Sequence, residues 1–219
     1  MFFPPWCIGC GREGKYICDS CRVNLPFISP PVCATCGRPL TIDKTCPGCI
    51  EGAVEIDGIR APFLFSGIIR KAIHELKYRN LKSMAPLLAG YLFDYLNISP
   101  LPADVLVPVP VHKKRERERG YNQSSLIVHE LSRLSVVPLN ETCLIRKVNT
   151  PPQVKTASAR ERRQNISEAF TCVDSSLKGK RVLLIDDVST SGATLNACAG
   201  ALKAAGAASV WGLAVALEI

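Results

Sequence analysis

VLLIDDVSTSGAT, residues 182–194, is the stretch from which the fold can be read. Val182 to Ile185 form a short apolar run of the kind expected of a strand covered on both faces. The run delivers Asp186 and Asp187 at its carboxyl end. Ser189 to Thr194 then read as a turn, Leu195 to Ala205 as a helix of small residues, and SVWGLAVAL (209–217) as a second strand. Strand, helix and strand at this spacing make a βαβ unit, whose strands are parallel and whose crossover is right-handed.

The same alternation extends upstream. VLVPVP (105–110) is a β-branched run, with Pro108 and Pro110 suited to its end, followed by a polar loop, HKKRERERG (112–120). Asn122 to Leu134 read as a helix with Leu126, Ile127, Leu131 and Leu134 on one side, and Cys143 to Val148 as another strand. A long polar stretch, NTPPQVKTASARERRQN (149–165), comes next, and stretches of that length usually carry function. Further upstream, APFLFSGIIRKAIHELKY (61–78) repeats Ile68, Ile69, Ala72, Ile73 and Leu76 at helical spacing behind a Ser66 cap, with Lys71 and Lys77 expected outward. A second helix is expected over about Met84 to Leu96. From residue 104 onward the pattern predicts an open α/β sheet flanked by helices.

With 219 residues and 47% hydrophobic composition, the chain can bury one full core and carry a small appendage. The start, MFFPPWC, lacks a basic leader, and the apolar stretch Ala204 to Leu217 falls short of the roughly 20 residues needed to cross a bilayer. A soluble, cytoplasmic protein with no membrane span is the expectation. Its net charge of +8, with clusters at 112–120 and 159–165, favours polyanionic partners: nucleic acid, or a small molecule with several phosphates.

Eight of the 11 cysteines precede residue 50, which sets residues 1–52 apart as a module from residues 53–219. They form four pairs with two residues between: Cys7/Cys10, Cys18/Cys21, Cys33/Cys36 and Cys46/Cys49. Each pair puts two thiolates on one tight turn, and two such turns complete a tetrahedral zinc site, so two structural zinc ions are expected. Reduced thiols in a cytoplasmic chain argue against a disulfide framework. The short gaps favour two consecutive four-cysteine ribbons; an interleaved arrangement joining 7/10 to 33/36 stays open. Cys143, Cys172 and Cys198 lie in apolar surroundings and read as core residues.

Chemistry concentrates after the acidic pair. Ligands of open α/β sheets bind at the carboxyl ends of the strands, where Asp186 and Asp187 fall. Vicinal ribose hydroxyls are donors, and adjacent carboxylates accept from both. Ser189, Thr190, Ser191, Gly192 and Thr194 add hydroxyls and closely spaced backbone N–H groups at a helix start, which suits a 5′-phosphate by geometry and by dipole. A ribose phosphate is the ligand these residues imply.

The string resembles the phosphoribosyl pyrophosphate (PRPP) signature of type I phosphoribosyltransferases, departing from it at Ala193. From about Cys7 to the end, the chain resembles the ComF/GntX family through its cysteine ribbons, FSGIIRKAIHELKY, VPVPVHKKRERERGYNQ, RKVNTPPQ, RRQNISEAF and IDDVSTSGAT. That resemblance implies a type I phosphoribosyltransferase fold, a parallel sheet with a hood, behind a double zinc ribbon. It also implies a link to natural transformation and to single-stranded DNA, with competence-machinery proteins as partners. Residue by residue it points to Arg115, Arg119, Gly120, Asn122 and Gln123 in the first loop, and to Gln153, Arg162 and Asn165 in the second.

If such a domain is catalytic, magnesium bridges the pyrophosphate and the ribose hydroxyls while a nucleophile displaces pyrophosphate at the anomeric carbon. Lys113, Lys114, Arg115 and Arg119 then neutralise the leaving group, and residues 146–165 form a lid that adds Lys147, Lys155 or Arg162. Asp186, Asp187, Arg119 and Lys147 are the catalytic candidates. The hood is expected from about Ala53 to Ser66 and the lid. His112 carries no assigned role, and His74 and His129 read as helix-surface or packing groups. An enzyme with an unspecified acceptor base, and a DNA- or protein-binding factor that keeps the PRPP site as a sensor, both fit these residues.

Overall fold

The computed structural model describes residues 4–40, 46, 49, 54–147 and 169–219. After a one-turn helix α1 (Asp19–Arg22), β1 (Gly58–Arg60) and β2 (Phe63–Leu64) precede two helices, α2 (Gly67–Tyr78) and α3 (Met84–Ile98). Then come β3 (Val105–Pro108), α4 (Lys113–Arg119), α5 (Gln123–Ser135), β4 (Leu144–Arg146), β5 (Phe170–Cys172), β6 (Arg181–Ser189), α6 (Ala193–Ala204) and β7 (Ser209–Leu217).

β6 and β7 are central. The main sheet runs β1-β7-β6-β3, with β2 also pairing β7, and every pairing is parallel. Strand-neighbour registers place Leu184 beside Gly212 and Val107, and Asp186 beside Ala214. A parallel strand is covered on both faces, and the alternation of β6 sorts its side chains between two cores. Leu183 and Ile185, with Leu213 and Val215, pack on α2, α3 and α5 through Ile73, Leu88, Leu92, Ile127 and Leu131. Val182 and Leu184 pack the opposite way, on Leu195, Cys198 and Leu202 of α6 and on Leu144 and Phe170 of the β4–β5 pair. Each fully buried Leu or Ile of this kind contributes about 1.5–3 kcal/mol by leaving water.

Two expectations change here. The stretch expected to form a hood supplies β1 and β2, short strands that extend the main sheet beyond β7. The polar loop at 112–120 is a two-turn helix, α4, capped by the His112 ring, whose Nδ1 accepts from Lys114 N at 3.1 Å, and ended by Gly120 at φ 84°. Sequence reading missed it because α4 buries nothing: its residues carry no apolar period.

The cysteine turns repeat one geometry. Gly11 N donates to Cys7 O and Gly37 N to Cys33 O, while Cys7 N and Cys33 N reach back to Arg12 O and Arg38 O. The module is not a free appendage: Ile17 and Leu25 join the core beside Phe63 and Ile69. Ile28 N donates to Pro62 O and Ile59 N to Thr35 O, and the Phe27 and Phe63 rings lie 4.9 Å apart. Among the described residues, no helix is long and apolar enough to cross a membrane.

Candidate functional site

The acidic pair is held from three sides. Asp187 is 5% exposed, and its Oδ1 lies 2.7 Å from Lys77 Nζ, whose side chain is 19% exposed. Asp186 accepts from Ser124 Oγ at 3.1 Å and from the Asp187 backbone N–H at 2.8 Å. Burial, and then the Asp187 charge, push the Asp186 carboxyl up to about 7, while Lys77, the Asp187 N–H and Ser124 pull it down. Two carboxylates in one partly buried place cannot share it cheaply without a cation.

Lys77 corrects an expectation, because its side chain points into the molecule at Asp187. The sequence did carry a signal: Lys77 follows Leu76 and sits four residues beyond Ile73, so it borders the buried stripe of α2. Its neighbours anchor it. Tyr121 OH donates to Leu76 O, one of the carbonyls left open at the end of α2, and the Arg119 guanidinium lies 5.5 Å over the Tyr78 ring. HELKY at the end of α2 and ERGYNQ at the α4–α5 junction therefore meet on either side of Lys77, at Leu76 and at Tyr78.

Asn122 caps α5, accepting from Ser124 N at 3.0 Å and donating through Nδ2 to Val109 O at 3.1 Å. That cap ties the end of β3 to the helix that presents Ser124. Gln123 is buried beside it, with Oε1 lacking a hydrogen-bond partner. Arg146, on β4, lies 5.4 Å over the Phe170 ring, and its guanidinium pKa is lowered by burial and by the Arg115 charge, against the pull of Cys198 and Asp186. Arg146 thus feels both the Arg115 charge and the Asp186 carboxylate. Sequence reading passed over Ser124 and Arg146, the latter because one arginine in a basic stretch is not conspicuous.

The hydroxyl-rich turn starts later than expected, since β6 continues through Val188 and Ser189. Ser189 is buried, whereas Thr190 and Ser191 are exposed ahead of α6. Gly192 takes φ 76° at the N-cap, and an added Cβ would come within 2.8 Å of Ile59 Cδ1. Ser191 Oγ accepts weakly from Ala193 N at 3.4 Å, and Thr194 is half-buried. Arg38 of the second ribbon donates to Thr190 O at 2.9 Å, so the cysteine module touches this turn directly.

Lys113, Lys114 and Arg115 are exposed on α4, and Lys147 is exposed with its backbone N donating to Ala169 O. Gln153, Lys155, Arg162 and Asn165 lie outside the described residues. His129 pairs with Glu141 at 2.8 Å, and His74 packs between Phe65 and Tyr78.

The eight ribbon cysteines form two consecutive clusters, Cys7, Cys10, Cys18 and Cys21, then Cys33, Cys36, Cys46 and Cys49, with sulfurs within 4.8 Å of one another. Sγ separations of 3.6 Å for Cys10–Cys18, 3.7 Å for Cys33–Cys49 and 3.4 Å for Cys36–Cys46 approach the ~3.8 Å edge of a tetrahedral zinc–thiolate site. The donor set and its geometry fit zinc. Burial works against the Cys7 thiolate, yet N–H groups of Cys18, Cys10 and Gly9 outweigh it and bring that thiol down to about 6. Burial and the neighbouring sulfurs push Cys21 up to about 12, as expected for four thiols sharing one place.

Comparison with known proteins meets this geometry at both ends of the chain. The double zinc ribbon domain model matches residues 1–50, and the phosphoribosyl transferase domain model matches residues 111–218. Competence protein F of Haemophilus influenzae is 30% identical over 228 residues, covering 97% of this chain and 98% of its own. The chain belongs to the ComF/GntX family. Competence protein ComFC of Bacillus subtilis is 29% identical, with 90% of this chain and 82% of its own covered. DNA utilization protein YhgH of Escherichia coli K12 is also 29% identical, over 89% and 93%. This ComF/GntX member combines a phosphoribosyltransferase fold with an N-terminal double zinc ribbon whose two four-cysteine sites run consecutively.

Proposed function

We propose that the turn after β6 binds PRPP or a related ribose 5-phosphate compound, and that the protein acts in competence-type DNA utilization in the cytoplasm. One observation carries the ligand reading: a partly buried acidic pair, held by Ser124 and Lys77, stands beside an exposed hydroxyl turn at the start of a 12-residue helix. In this reading Asp186 and Asp187 accept from the ribose hydroxyls. Ser189, Thr190, Ser191, Gly192 and Thr194 surround the 5′-phosphate, assisted by the α6 N-terminus. Lys113, Lys114, Arg115, Arg119 and Lys147 supply positive charge for the pyrophosphate. Magnesium bound together with PRPP would supply charge neutralisation for the phosphates. Residues 1–52 form the zinc module and 53–219 the ligand-binding domain.

The names of the relatives, together with the +8 charge, support single-stranded DNA and competence proteins as partners. The second reading, a salvage or biosynthetic phosphoribosyltransferase with its own acceptor base, is favoured by the same acidic pair.

Calorimetric titration with PRPP, with and without magnesium, tests the ligand reading: wild type binds, and a double Asp186→Asn/Asp187→Asn variant does not. Absence of binding by PRPP and by ribose 5-phosphate in the wild type overturns it. Pyrophosphate release in the presence of nucleobase acceptors identifies the enzyme. For DNA, the affinity of a labelled single-stranded oligonucleotide should fall steeply with salt and with charge removal at Arg115 and Arg119; salt-insensitive binding sinks that part.

A further inference from the structure

The feature that the phosphate-loop reading leaves unexplained is a lysine from a different part of the chain. Lys77 reaches from the last turn of α2 to Asp187, 110 positions further on, and closes to 2.7 Å with both side chains largely out of water. A lysine loses side-chain entropy and hydration on entering such a place, so it is kept there by a specific partner. Its backbone is fixed as well, because the carbonyl before it accepts from Tyr121 and the ring after it stacks under Arg119. The groups acting on the acidic pair can be named by element: Lys77 on α2 contacts Asp187 and Ser124 on α5 contacts Asp186, while Arg146 on β4 and Cys198 on α6 interact electrostatically with Asp186. Lys77 is in direct contact with the pair, its Nζ 2.7 Å from Asp187 Oδ1.

We propose that Lys77 is the positioning residue for ribose recognition: it holds the Asp187 carboxylate in place, so that the acidic pair meets the vicinal hydroxyls as an oriented acceptor. The inference rests on the ribose-phosphate reading of the site and deepens it. Asp187 can accept a ribose hydroxyl through its second oxygen while Oδ1 stays on the ammonium. Asp186, tied to Ser124 and to the Asp187 N–H, is then the member of the pair that must give up its proton for the hydroxyls to bind. Remove the ammonium, and the two carboxylates hold a shared proton to higher pH, which leaves one acceptor too few at neutrality. Lys77 therefore acts through Asp187 and need not touch the ligand.

The test uses the full, zinc-loaded chain. PRPP with magnesium is titrated calorimetrically from pH 6.5 to 9 against wild type, Lys77→Met, Lys77→Gln and Lys77→Arg, with inorganic pyrophosphate as the ligand lacking ribose. Lys77→Met and Lys77→Gln should lose at least tenfold in PRPP affinity at pH 7, recover toward wild type as the pH approaches 9, and bind pyrophosphate unchanged. Lys77→Arg should keep most of the wild-type affinity. If Lys77→Met fails to fold by circular dichroism, Lys77→Gln carries the comparison, because its amide can still hydrogen-bond Asp187. Wild-type affinity with an unshifted pH profile in both neutral variants overturns the proposal and leaves the ligand reading intact. Equal losses for pyrophosphate and PRPP overturn it too, by making Lys77 a phosphate contact. Failure of the wild type itself to bind PRPP removes the ligand reading instead.

Discussion

Replacing Asp186 by asparagine should make the protein more stable while weakening the ribose binding proposed for the site. An ordinary aspartate loses its proton near pH 3.8, but burial and Asp187 push the Asp186 carboxyl up to about 7. Between those two values the folded state binds more protons than the unfolded chain, so folding stability falls as the pH rises from about 4 to about 7 and levels off above it. Retaining a proton over that range corresponds to at most about 4 kcal/mol. Relaxation of the site around the charge reduces this, and about 1–3 kcal/mol is the expected penalty at pH 8. Asparagine escapes it, because its amide oxygen can still accept from Ser124 Oγ and from the Asp187 N–H. For a domain of this size the gain appears as a rise in Tm of roughly 2–4 °C per kcal/mol. Thermal or urea unfolding of wild type and Asp186→Asn at intervals from pH 4 to 8.5 measures it. The difference should be near zero at pH 4, grow through pH 6 and be constant above 7.5. A variant that is no more stable than wild type at pH 8, or a difference independent of pH, refutes the reasoning.

Gly192→Ala places a side chain at φ 76° and drives its Cβ toward Ile59 Cδ1, so it should cost about 1–2 kcal/mol in unfolding free energy, with a larger loss of phosphate-ligand affinity than of stability. Val136 ends α5 at φ 60° while 88% exposed, a strained conformation for a β-branched residue, and Val136→Gly should raise stability by about 1 kcal/mol in urea unfolding. Elemental analysis should find two zinc ions per chain. Chelation should unfold the ribbons and also lower the Tm of the remaining domain, because Ile17 and Leu25 belong to its core; an unchanged domain Tm would contradict that docking.

The sheet was legible because its order is written locally. Val182–Ile185 and Val210–Leu217 are apolar throughout, and a parallel strand covered on both faces needs that composition. The βαβ unit followed from the spacing between them, and helices α2 and α5 from the 3.6-residue period of their buried faces. Helix α4 escaped because it packs nothing, and the hood became edge strands because β1 and β2 are three and two residues long. Strands so short take their conformation from β7, the partner they pair with, and not from their own composition.

At the functional site the division is sharper. The sequence by itself determined the ligating chemistry: paired carboxylates at a strand end, a hydroxyl turn at a helix start, and eight thiols spaced for two tetrahedral ions. Those features are local, since each group of residues lies within one turn or one strand end. The tertiary structure chose the consecutive cysteine arrangement that the short gaps favoured over the interleaved one, and it alone decided that Arg38 of the ribbon reaches the Thr190 carbonyl and that Lys77 enters the molecule to meet Asp187. The last two are contacts between residues far apart in the chain. Whether a lysine beside an apolar stripe turns outward to water or inward to a carboxylate depends on what the fold places opposite it, and the local pattern around Lys77 holds no record of Asp187.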